Sequence, residues 1–76
     1  LQIRQKVEIY NIANVLYINA YDNNIEQIEV YNIMGRKEID KKIVSKSATI
    51  STQLTRGVYI VRVKVEGQIY IQKLVF

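Results

Sequence analysis

The sequence predicts an all-β protein, a seven-stranded antiparallel β-sandwich with no helix. Three observations predict it. Apolar and polar residues alternate over short runs rich in Val, Ile and Tyr, the pattern of half-buried strands. Turn residues punctuate these runs at spacings of about eight to twelve positions. Apolar residues at three-and-four spacing never persist beyond about one turn, so no stretch reads as a helix.

The elements follow in order. Residues 1–10 read as a first strand, with Ile3, Val7 and Ile9 on one face and Gln5 interrupting it. Asn11 and Asn14 bracket a break. Residues 15–20 form a second strand with Leu16 and Ile18 toward the core. Asp22, Asn23 and Asn24 make a turn, because Asn tolerates the left-handed region and Asp bonds its own backbone. Residues 26–33 form a third strand, with Ile28 and Val30 on one face and Glu29, Tyr31 and Ile33 on the other. Met34, Gly35 and Arg36 turn the chain, Gly35 taking the strained position. Residues 37–44 are the most polar strand. Ile39, Lys41 and Ile43 share a face there, and the charges mark a sheet edge. Residues 45–47 read as a loop and 48–52 as a short strand around Ile50. A connector over 53–56 follows, with Leu54 plugging the core.

The last third is the clearest. From Tyr59 to Val65, Tyr59, Val61, Val63 and Val65 face one way and Ile60, Arg62 and Lys64 the other. Gly57 opens this strand. Glu66 and Gly67 form a tight hairpin, since Gly accepts positive φ. Residues 69–76 return. Ile69, Ile71 and Val75 share a face with Lys73, while Tyr70, Leu74 and Phe76 share the other with Gln72, so a bulge is expected near Gln72.

Seventy-six residues make one domain of 1–76. At roughly 0.05–0.15 kcal/mol per residue its stability is expected to total about 4–11 kcal/mol. The chain has no cysteine and no histidine, which excludes disulfides and the usual zinc ligand sets. No metal or other cofactor is expected. No apolar run is long enough to span a bilayer and no signal peptide opens the chain, so membrane insertion is not expected. The chain starts at Leu1, so it is expected to be a piece of a longer protein.

The residues argue against an enzyme. Ser45, Ser47 and Ser51 have no histidine base, and Lys46 sits in a polar loop where nothing would lower its pKa. Glu26 with Glu29, and Glu38 with Asp40, are acidic pairs, the second two apart on one strand face. Lysines 37, 41 and 42 surround that second pair, so a charged edge explains it better than a glycosidase or calcium site. The net charge is +4. Arg36, Lys37, Lys41, Lys42 and Lys46 cluster, and the tyrosines add aromatic surface. No stretch matches an RNA-binding aromatic motif, and nucleic acid is not an expected partner.

Three blocks carry a resemblance. They are I-E-V-Y-N-I-M-G-R-K-E-I over 28–39, L-T-R-G-V-Y-I-V-R-V over 54–63, and G-Q-I-Y-I-Q-K-L-V-F over 67–76. In this order the chain resembles the C-terminal sorting domain of the type IX secretion system of Bacteroidota. The family's Tyr-Pro-Asn-Pro-like opening is matched by Tyr10 and Asn11 but lacks its prolines. The resemblance implies an Ig-like sandwich closing a secreted cargo protein, with the cargo domain upstream. It implies passage through the periplasm to the cell surface or medium. The partners it implies are the outer-membrane secretion machinery and a sortase-like peptidase that cuts the domain off. Gly35, Arg36, Lys73, Leu74, Val75 and Phe76 are the candidate recognition residues. Gly57, Tyr59 and Gly67 are assigned to turn geometry and the core. The alternative is an Ig-like accessory or carbohydrate-binding module of a secreted enzyme. A monomer is expected, or a dimer that swaps strands through an uncovered edge.

Overall fold

The computed structural model describes residues 6–76. The strands are β1 (Glu8–Ile12), β2 (Val15–Asn19), β3 (Ile25–Asn32), β4 (Lys37–Ser45), β5 (Ser47–Ser51), β6 (Val58–Val65) and β7 (Gln68–Val75). They make two antiparallel sheets ordered β1-β2-β5 and β4-β3-β6-β7. The fold is therefore a seven-stranded sandwich, and no helix occurs among the described residues. In a constant-type immunoglobulin sandwich the fourth strand sits beside the fifth. Here β4 pairs with β3 instead, which leaves three strands facing four.

The core lies between the sheets. Leu16, Ile18 and Ile50 come from the smaller sheet, and Ile25, Ile28, Val30, Tyr59, Val61, Val63 and Val65 from the larger. Period-two alternation accounts for nearly all of them. Ile25 is the exception, being three positions from Ile28. A register shift between Ile25 and Gln27 inserts an extra residue, and both isoleucines reach the core. Leu54 packs against this core from the connector.

Several expectations change. Asn11 does not break the first strand, which runs to Ile12; its side chain donates to Ala13 O (3.1 Å) and to Val75 O (2.9 Å). The turn falls at Ala13, which holds φ +51°. Residues 1–5, and Ile3 with them, lie outside the described residues. The 45–47 loop shrinks to Lys46, because β4 and β5 run up to it from both sides.

The bulge expected near Gln72 is absent: β6 and β7 pair without a shift from Val58–Val75 to Val65–Gln68. The bulges lie in the β3 pairings instead. Tyr70, Leu74 and Phe76 do face the core. Ile69, Ile71 and Val75 are exposed on the outer face. A sheet-edge strand over a narrower partner sheet has neither face fully covered, which is why its sequence reads ambiguously.

Candidate recognition site

The site is one end of the sandwich. Register places Asn32, Tyr59 and Leu74 in one cross-strand row. The β3–β4 turn and the end of β7 are thus two strand spacings apart, about 10 Å. The molecule is 41 Å long, and Gly67 turns the chain at the far end. Gly35, Arg36, Leu74, Val75 and Phe76 therefore gather at one end. Lys73 stands one row in, opposite Ile60.

Asn32 builds the turn. Its Oδ1 accepts from the backbone N–H of Met34 and of Arg36, both at 2.9 Å, and its Nδ2 donates to Glu38 Oε2 at 3.1 Å. Gly35 N–H donates to Asn32 O at 3.0 Å with Gly35 at φ +83°. This is a three-residue hairpin loop whose last residue must adopt the left-handed conformation. The rigid loop presents Ile33 at 78% and Met34 at 88% exposure. Large apolar side chains at a turn tip bury nothing in this chain. A cleft of about 220 Å³ lies beside it, lined by Ile33, Met34, Glu38, Arg56 and Val58 among others. Among the described residues, the guanidinium groups of Arg36 and Arg56 make no ion pair.

The end of the chain is bolted to this site. Phe76 exchanges backbone hydrogen bonds with Gly57 at 2.8 and 3.1 Å. Its ring meets Tyr59 edge-to-face at 5.4 Å. Tyr59, at the start of β6, donates its Oη–H to Thr55 O at 2.8 Å, four residues upstream in the connector. That arrangement is like the tyrosine corner of immunoglobulin-type sandwiches. Leu74 and Phe76 thus have a packing task that the sequence did not disclose, whereas Arg36, Lys73 and Val75 are exposed.

The outer face of the larger sheet holds a second polar feature, which sequence reasoning missed. Glu29 is only 5% exposed although it points away from the core. Lys37 Nζ lies 3.0 Å from its carboxylate, Tyr31 Oη donates to it at 2.8 Å, and Arg62 Nη1 closes on its other oxygen. Tyr31 is a neighbour on the same strand face, but Lys37 and Arg62 come from β4 and β6, so no local pattern could reveal the two charged partners. Hydrogen bonds from Lys37 first, then Tyr31 and Arg62, hold the Glu29 pKa below its ordinary 4.5. Glu29 and Asp40 in turn raise the Lys37 pKa. Asp40 is lowered by Gln27 and Lys37.

Between the folded and ordinary values the unfolded chain binds more protons at Glu29, so stability rises with pH there. The contribution is present above 4.5 and fades as pH falls through the lower folded value. Glu29→Gln is therefore expected to be less stable than wild type at neutral pH, with a narrower gap at an acidic pH below the ordinary 4.5. Urea midpoints at the two pH values check this.

The other candidates disperse. Ser45 Oγ donates to Ser47 O at 2.8 Å, a local turn contact. Glu38 and Asp40 do not act as a pair: a register shift at Tyr31 separates them, Glu38 bonding Asn32 and Asp40 bonding Gln27 and Lys37. Glu26 accepts from Gly67 N–H at 3.0 Å, at the far end. Among the described residues no cluster of three acidic, His or Cys side chains could hold a metal ion.

The family described as a domain of unknown function (DUF8694) matches residues 2–76. No curated protein matches the chain.

Proposed function

We propose that this chain, which belongs to the DUF8694 family, is a non-catalytic C-terminal sorting module of type IX secretion. In this reading it ends a cargo protein, crosses the periplasm with it, and is read by the outer-membrane machinery. A sortase-like peptidase then removes it. One observation supports the reading above the others. One stretch of each block that carries the resemblance meets at one end of the sandwich: the Gly35 turn, Gly57 and Tyr59 at the start of β6, and the last residues of the third block. That end presents Ile33, Met34 and two arginines that make no ion pair among the described residues. Apolar anchors rimmed by Arg suit a protein socket with an acidic edge.

The test is export. Residues 1–76 are fused to the C-terminus of a periplasmic fluorescent reporter in a Bacteroidota host with an intact type IX system. Reporter is expected at the surface or in the medium, and not in a secretion-deficient host. The double variant Met34→Asp, Arg36→Glu touches no core residue, so its melting curve is expected to match wild type. Its export is expected to fall about tenfold or more. Wild-type reporter held in the periplasm with the domain folded would end the proposal.

A further inference from the structure

We infer that the cleft between β4 and β5 is a docking slot for an extended peptide strand that carries one apolar residue and one carboxylate on the same face. The inference is independent of the sorting reading. Sheet order leaves the outer edge of β5 without a neighbour among the described residues. It is the place that the fourth strand fills in a constant-type immunoglobulin sandwich and that β4 vacates here.

The backbone on this edge is set to receive a strand. Hydrogen bonds from Ala20 N–H to Lys46 O and from Thr52 N–H to Asn14 O, both 2.8 Å, fix which residues face β2. By the alternation of an antiparallel ladder, Ser47, Thr49 and Ser51 turn their N–H and C=O groups outward. Ser45 Oγ occupies Ser47, which leaves Thr49 and Ser51. Free edges are normally guarded by charge, proline or a bulge. The β4 edge carries Lys37, Glu38, Asp40, Lys41 and Lys42. The β5 edge reads Ser-Ala-Thr-Ile-Ser in unbroken register and has none of these guards.

The cleft itself sets the side-chain chemistry. It holds about 290 Å³, with Ile28, Ile43, Ala48 and Ile50 as an apolar floor. Lys41 lines it from a register position opposite Ile28, on the core-facing side of β4. Among the described residues Lys41 has no ion-pair partner. A strand added to β5 directs alternate side chains into this cleft, one onto the isoleucines and one toward the Lys41 ammonium. A bare acyl carboxylate would meet Lys41 but leave the edge amides unpaired.

The probes are the pentapeptides Ac-Thr-Val-Thr-Glu-Thr-NH2 and Ac-Thr-Glu-Thr-Val-Thr-NH2, for the two strand directions, with Lys replacing Glu as controls. They are titrated into the 15N-labelled 76-residue chain. A glutamate peptide is expected to shift and slow the exchange of the Thr49 and Ser51 amides, binding about tenfold tighter than its lysine control. Lys41→Glu is expected to reverse that preference. Thr49→Pro, tolerable on an edge strand, is expected to abolish binding while the fold persists. No binding at millimolar peptide, a preference that Lys41→Glu does not move, or shifts confined to Ile69, Ile71 and Lys73 would each overturn the inference. So would peptide-free dimerisation that protects the same two amides, which would assign the slot to a second copy.

Discussion

Tyr59→Ala is expected to cost about 3–5 kcal/mol, which leaves little margin in a chain whose total is about 4–11 kcal/mol. The size follows from what the ring does. Tyr59 is buried at the start of β6, opposite Leu74 in register, with the Phe76 ring edge-on against it. Removing it opens a cavity where the connector, the central strand and the end of the chain meet. Its hydroxyl adds the bond to Thr55 O and a 3.1 Å contact with Thr55 Oγ1. Tyr59→Phe separates the two contributions, with an expected cost of about 0.5–1.5 kcal/mol. Urea unfolding of both variants reads the split. Equal costs would mean that the hydroxyl, not the ring, anchors this end.

Ile28→Ala is expected to cost about 2–5 kcal/mol. Ile28 is fully buried, lies opposite Val63 across the ladder, and follows directly on the β3 bulge. Ile33→Ala, five residues on, is expected to stay within about 0.5 kcal/mol of wild type. The same substitution in the same segment thus separates a core isoleucine from an exposed one. The reverse order of costs would mean that β3 is displaced by one residue, because such a slip exchanges the two faces of a strand.

These two positions also show what was legible in the sequence. The faces of β6 were, because Tyr59, Val61, Val63 and Val65 alternate without interruption and the strand is central. Ile28 and Val30 were assigned correctly for the same reason. The burial of Ile25 was not, since the bulge that turns it inward depends on how β3 meets two neighbours. The β7 pattern suggested a bulge where none exists, because an edge strand has two half-covered faces. Nor was Glu29 legible, as its partners lie eight and thirty-three residues downstream at Lys37 and Arg62. In the candidate site, the blocks around Gly35 and at the end of the chain were visible as separate stretches. Their adjacency needed the β3–β6–β7 pairing, which is non-local. Asn32 carried a signal of its own, an Asn three residues before a turn glycine.

The placement of the outermost strands has a mechanical consequence. β1 enters at one end of the 41 Å long axis, and β7 leaves at the other. Tension between them pulls along the strands, across hydrogen bonds that lie perpendicular to it. The rungs joining β6 to β7 are then loaded together in shear rather than opened one at a time, and Asn11 ties β7 laterally to β1 through Val75 O. A domain dragged by its last residues would resist as a whole and yield abruptly, while one pulled at the Gly67 hairpin would unzip at low force.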